Sequence, residues 1–205
     1  MNKNICVWLS AVLAVTLSVF SGCGSTITHD KTQYVLNPVR RAEPAPASDD
    51  AILEVRRFMM DSAFHGKKLV YRTGEVAYEE DFYHEFLAPP ASMIREATRN
   101  WLTQSNLFAR VVDAAGYVEP TYALEANITT LYGDARDADA PRAVVELRAF
   151  LLRVDGARDA EIVHTGVYSV TCEAAAADPN GIVTGYNDCL EAILTDLEKD
   201  IAAKL

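Results

Sequence analysis

The stretch VAYEEDFYHEFLAPPASMIREATRNWLTQSNLF, residues 76–108, sets a period-two pattern directly before a helical one. Val76, Tyr78, Phe82 and Phe86 share one phase, while Ala77, Glu79, Asp81, Tyr83 and Glu85 share the other. Such alternation predicts a half-buried strand, whose apolar face is interrupted by Glu80 and His84. Pro89 and Pro90 then suit the first turn of a helix, where a missing N–H leaves no hydrogen bond unmade. Ile94, Ala97 and Trp101 recur at helical spacing, and the pattern ends near Asn106. A strand feeding an amphipathic helix implies a sheet with helices laid upon it.

The flanking sequence extends that picture. Upstream, YVLNP at 34–38 reads as a brief strand stopped by Pro38, and RRAEPAPASDD at 40–50 as a surface loop. Residues 52–58 and 68–72 read as strands around a turn at His65 and Gly66. Downstream, 110–113, 122–132, 143–154 and 161–172 alternate or are rich in β-branched residues. GDARDADAP and DGARDAE carry turn chemistry, so the last three strands are expected to form an antiparallel meander. Leu190, Ile193, Leu194, Leu197 and Ile201 form the stripe of a second amphipathic helix, spanning about Val183 to Leu205. The expected fold is therefore α/β of the α+β kind. It is a single domain with a mixed, largely antiparallel sheet and two amphipathic helices packed on one face.

The first residues call for a separate explanation. Met1–Asn4 carries one cation, Lys3, and the run from Ile5 to Phe20 is apolar or small and uncharged. As a helix that run would reach only ~24 Å, short of a ~30 Å hydrocarbon core. A charged start, a short apolar core and a small-residue exit predict an export signal over residues 1–22. Phe20-Ser21-Gly22-Cys23 resembles a bacterial lipobox, although Phe20 stands where an aliphatic residue is usual. On that reading Cys23 is the lipidated residue, carrying acyl chains of the palmitate kind, and residues 23–33 form a polar tether. A domain over 34–205 follows. An uncleaved anchor and plain secretion are the alternatives.

Removing residues 1–22 deletes Lys3 alone among charged groups, taking the formal net charge from −10 to −11. An acidic chain lacking any basic run speaks against nucleic acid as a partner. Of four cysteines, Cys6 lies in the signal and Cys23 in the lipobox, leaving Cys172 and Cys189. An even remainder in an exported protein predicts a disulfide between them, the alternative being two buried free thiols.

No reactive constellation is evident. His29, His65, His84 and His164 are scattered, with neither HxxxH nor HExxH spacing. EEDFYHE places four carboxylates beside His84, which a metal site or a solvated strand face would each explain. DARDADA lacks the glycine and distal glutamate of a calcium loop. GxSxG, Walker-type and GxGxxG motifs are missing, so neither an enzyme nor a bound cofactor is expected.

Residues 66–113 resemble the auxiliary lipoprotein component of ABC-type transporters. The shared features are the LVYR strand, the tyrosine-rich acidic strand, the Pro-Pro helix start, and a helix ending before an F-x-R-V-V strand. Phe86 stands nearest where many relatives carry a tryptophan before the Pro-Pro. That family includes the lipoprotein of the paraquat-inducible system, which works with mammalian-cell-entry (MCE) domain proteins. The resemblance implies a non-catalytic accessory protein, lipid-anchored in the outer membrane and facing the periplasm. It would serve a system moving lipids or other hydrophobic molecules. Its partners would be MCE-domain and ABC transporter subunits, with self-association possible. A structural lipoprotein that supports envelope assembly or activates a cell-wall enzyme is the rival. Glu79, Asp81 and Glu85 are the candidate partner-binding rim, against a plain solvated face.

Overall fold

The computed structural model describes residues 31–45, 50–113, 118–155 and 159–205. The predicted signal of residues 1–22, Cys23 and most of the predicted tether lie outside the described residues. Residues Lys31–Leu205 fold as one compact unit. Its strands are β1 (Thr32–Tyr34), β2 (Ile52–Met60), β3 (Lys68–Arg72), β4 (Tyr78–Phe86), β5 (Arg110–Asp113), β6 (Tyr122–Asp134), β7 (Arg142–Asp155) and β8 (Asp159–Glu173). The helices are α1 (Pro90–Ser105) and α2 (Pro179–Ala202), and a 3₁₀ turn at Ser62–Phe64 follows β2.

All eight strands join one sheet. β6, β7 and β8 form the antiparallel meander, paired along almost their full lengths. On its other edge β6 is flanked first by β2 and then, near Gly133, by β3, both parallel to it. The 3₁₀ turn lets one stretch of chain serve that edge twice: Asp61 N–H still donates to Ile128 O at 3.0 Å. β5 adds in parallel to the first half of β2, and β4 pairs antiparallel with β3. β1 closes the far side, parallel to β4. That strand spans Thr32–Tyr34, so only Tyr34 of the strand expected over 34–38 is in it, and the last residues of the predicted tether are already paired with the domain.

Both helices cover the same face. α1 lies over β2 and β5, and α2 over β7 and β8. Ala143, Val145, Leu147, Ala149 and Leu151 of β7 are all buried, as are Ile182, Tyr186, Leu190, Ile193, Leu197 and Ile201 of α2. They share one core cluster with Leu53, Val55, Leu124 and Ile128 of the sheet and Ile94, Trp101 and Leu102 of α1. The opposite face carries Glu54, Arg56, Glu125, Glu146 and Arg148. Gly185 lets α2 approach closely, because a Cβ there would stand 2.8 Å from that of Ala143. α1 ends where Asn106 turns left-handed at φ 62°, a conformation asparagine tolerates better than most residues.

β4 departs from the expected half-buried strand. Val76, at 92% exposure, lies in the bend before β4 and outside the strand, whereas within it Phe86 is buried at 2% and Phe82 stands at 67%. The register explains it: Lys68 pairs with Glu85 and Val70 with Glu80, so residues 81–84 bulge out of the ladder. A bulge reverses which side chains face the core, and period two cannot hold across it.

The end of β8 is stapled to α2 by the Cys172–Cys189 disulfide, whose Cα atoms lie 5.6 Å apart, within the usual range. The bond closes a sequence separation of 17 residues across the linker before α2. Removing it with Cys172→Ala/Cys189→Ala should lower unfolding stability by about 3 kcal/mol, mainly by freeing the unfolded chain. Urea titrations of this variant and of the parent with and without reductant measure the loss. The reduced parent should match the variant.

Candidate partner-binding surfaces

The β4 bulge is built by one carboxylate. Asp81 Oδ1 accepts the backbone N–H groups of Tyr83 at 2.9 Å and His84 at 3.0 Å. His84 Nδ1 lies 2.9 Å from Asp81 Oδ2, and its ring tilts toward Tyr34 with centroids 6.0 Å apart. Glu85 is bound on the strand's β1 side, where Lys31 Nζ donates to it at 2.9 Å and Gln33 Nε2 at 3.0 Å. Those bonds, the lysine's first, hold the Glu85 carboxyl below its usual range. Glu79 is exposed and, among the described residues, accepts a long 3.3 Å bond from Thr73 Oγ1. The three rim residues therefore occupy one strand in different roles. Asp81 shapes the backbone, Glu85 docks β1, and Glu79 is the carboxylate that faces solvent.

Two further surfaces escaped the sequence reading. An open groove of about 960 Å³ straddles the bulge of β2, where Val55 pairs with Leu124 but Phe58 with Ala126. Its lining includes Arg56, Arg57, Met59, Arg95 and Phe150. Arg56 is paired with Glu54 at 2.7 Å and approaches Glu125 at 3.9 Å. The readable signal was the doublet Arg56-Arg57, two charged residues in a row inside a strand pattern. The second surface is the outer edge of β8. Among the described residues β8 pairs with β7 alone, and Ile162 and Val167 are exposed along it. Unpaired strand edges are templates for another chain.

Other polar clusters serve the fold. Arg40, with a side chain only 4% exposed, binds both carboxylate oxygens of Glu198 at 2.9 and 2.8 Å. Trp101 Nε1 donates to the same Glu198 at 2.7 Å, so the chain after β1 is locked to both helices. That hydrogen bond to Glu198 raises the Arg40 pKa further. Tyr168 Oη donates to Asp200 at 2.7 Å and lies 3.0 Å from His164 Nε2, joining β8 to the last turns of α2. Burial, then the Asp200 bond, pushes the Tyr168 pKa well up. Among the described residues no group of histidine, cysteine, aspartate and glutamate could hold a metal ion. No helix there is long and apolar enough to cross a membrane.

A family model for the ABC-type transport auxiliary lipoprotein component matches residues 34–198, and the chain belongs to that family. Its fold resembles a crystal structure of a protein from Xanthomonas campestris, with a TM-score of 0.71 at 17% identity, covering 83% of this chain and 95% of that one. A second crystal structure, of an uncharacterised protein, aligns with a TM-score of 0.64 at 15% identity, covering 84% and 99% of the two chains. At these identities the likeness is one of fold. Among curated proteins, none matches.

The Glu85 bonds carry a pH signature. Because the folded carboxyl titrates below its ordinary value of 4.5, its contribution is complete above that value and is lost as the pH falls through the folded one. Amide protection of Thr32–Tyr34 should accordingly hold at neutral pH and fade in acid before that of β7. Glu85→Gln should lower it at neutral pH and converge on the parent in acid, where the Glu85 carboxyl is protonated, as hydrogen exchange would show.

Proposed function

We propose that this protein is a non-catalytic accessory subunit of an ABC/MCE-type system that moves lipids or other hydrophobic molecules across the bacterial envelope. It is held to the outer membrane by acyl chains on Cys23 and faces the periplasm. The family match over residues 34–198 carries the reading. The surfaces are consistent with it: an exposed carboxylate at Glu79, an arginine-lined groove and an open strand edge can all engage another chain. Its partners are MCE-domain and ABC transporter subunits, with a second copy of this chain able to use the β8 edge. The ATPase and the pore reside in those other chains.

Anchoring is tested on the mature N-terminus. Mass spectrometry should find an acylated Cys23 as the first residue, and density-gradient separation should place the protein in outer-membrane fractions. A mature chain retaining Met1 without acyl groups would sink the anchoring claim.

Partner contact is tested by cross-linking in the native envelope followed by mass spectrometry, which should recover an MCE-domain or ABC subunit. Among rim variants, Glu79→Lys is the clean probe: it should weaken capture while shifting stability by less than about 1 kcal/mol, as exposed changes usually do. Reversal at Asp81 or Glu85 should instead disturb β4 and β1 themselves. Undiminished capture by Glu79→Lys would remove that rim, and recovery of no transport subunit would defeat the accessory role.

A further inference from the structure

We infer that the Phe82 ring is a membrane-contact point, seated in the headgroup region of the bilayer beside the place where the anchored chain enters the domain. The inference rests on the reading that Cys23 is acylated.

Three observations converge. The first is the exposure of the ring. At 67%, Phe82 is the most exposed aromatic side chain among the described residues. It is held out, not loose: Asp81 fixes the turn through the N–H groups of Tyr83 and His84, and the Phe82 ring meets that of Tyr83 edge-on with centroids 5.1 Å apart. An aromatic ring presented to water on a carboxylate-braced bulge is costly unless something apolar receives it.

The second observation is direction. β1 runs parallel to β4, with Thr32 opposite His84. Moving from Thr32 toward the N-terminus therefore runs the same way as moving from His84 back to Phe82. Lys31, the first described residue, is still tied to this end of β4 through Glu85. The chain thus enters the domain at Lys31, at the end of β1 that leads toward Phe82 along β4.

The third is reach. Nine chain steps separate Cys23 from Thr32, with eight residues between them. Their extended length is at most ~32 Å, and a flexible chain of that size averages ~17 Å. An acylated Cys23 would keep Thr32 within that distance of the bilayer and Phe82 close beside it, where a contact too weak to recruit a free protein becomes effectively intramolecular. The surrounding charge selects the lipid. Glu79 is exposed on the same strand, Glu80 is exposed but paired with Lys68 at 2.7 Å, and the mature chain carries −11, so the receiving surface is zwitterionic and the insertion is shallow.

The test uses the full chain, with acylation at Cys23 verified by mass, reconstituted into phosphatidylcholine–phosphatidylethanolamine vesicles carrying brominated phosphatidylcholine. Phe82→Trp places a reporter at the bulge, and Ile162→Trp places one at an exposed position on β8 as the control. The buried Trp101 supplies the background, measured in the parent. The indole at position 82 should shift to shorter wavelength and be quenched severalfold by shallow bromines. The one at 162 should remain unquenched, and replacing zwitterionic lipid with phosphatidylglycerol should weaken the effect. An unquenched indole at 82 in acylated protein overturns this inference alone and leaves the anchor intact. A blue-shifted but unquenched one overturns it too, since a protein surface then covers the ring. A chain lacking acyl groups at Cys23 removes the anchoring reading and this one with it.

Discussion

The inner face of β7 and the stripe of α2 are each fully apolar, and neither can exist in water without the other. Every second residue of β7 from Ala143 to Leu151 is shielded. Each buried valine, leucine or isoleucine there contributes ~1.5–3 kcal/mol relative to exposure, so this interface supplies a large share of the core. Small residues set its spacing. Ala143 opposite Gly185 lets the helix axis lie close to the strand, which brings Cys189 within bonding distance of Cys172. The same geometry places Glu198, further along the helix, where Arg40 and Trp101 can both reach it. The chain after β1 is therefore fixed by a helix that was positioned by the meander.

One consequence is an unequal division of stability across the sheet. The meander has long ladders and helix cover, while β1 and β4 meet over three residue pairs. Beyond the buried Phe86 and Leu36, the β1–β4 end relies on the Glu85 hydrogen bonds to Lys31 and Gln33, with Asp81 bracing β4 itself. Elements held in that way open at lower free energy than the core. In this molecule the weakly held end is also the end reached by the N-terminal chain, so a pull transmitted along that chain would act first on β1.

How far the sequence could be read follows from the same division. Strands 68–72 and 110–113 and the end of α1 near Asn106 were legible to the residue, because turn residues and periodic burial act locally. The meander and the α2 stripe were legible because each is a long amphipathic pattern. The β4 face was not. Val76, Tyr78, Phe82 and Phe86 satisfy period two whether the strand is regular or bulged, and only the pairing with β3 reveals that residues 81–84 leave the ladder. The parallel placement of β2 and β3 along one edge of β6 was likewise hidden, since parallel partners are chosen by the tertiary fold and carry no turn signature. The arginine groove depends on that placement. Arg57 and Arg95 are far apart in sequence and share a groove only because α1 crosses β2.

The rim residues show why an acidic cluster is a poor guide to function by itself. Read as a strand face, Glu79, Asp81 and Glu85 look equivalent. In the fold, Asp81 is used up by backbone N–H groups and Glu85 by Lys31 and Gln33, which leaves one carboxylate for an outside partner. Carboxylates engaged in this way neutralise the strain of a bulge and the charge of a neighbouring lysine. They set the shape of the surface more than its potential. What the bulge presents outward is therefore an aromatic ring flanked by exposed glutamates, and recognition at this end is decided by shape and apolar contact, with charge excluding anionic surfaces.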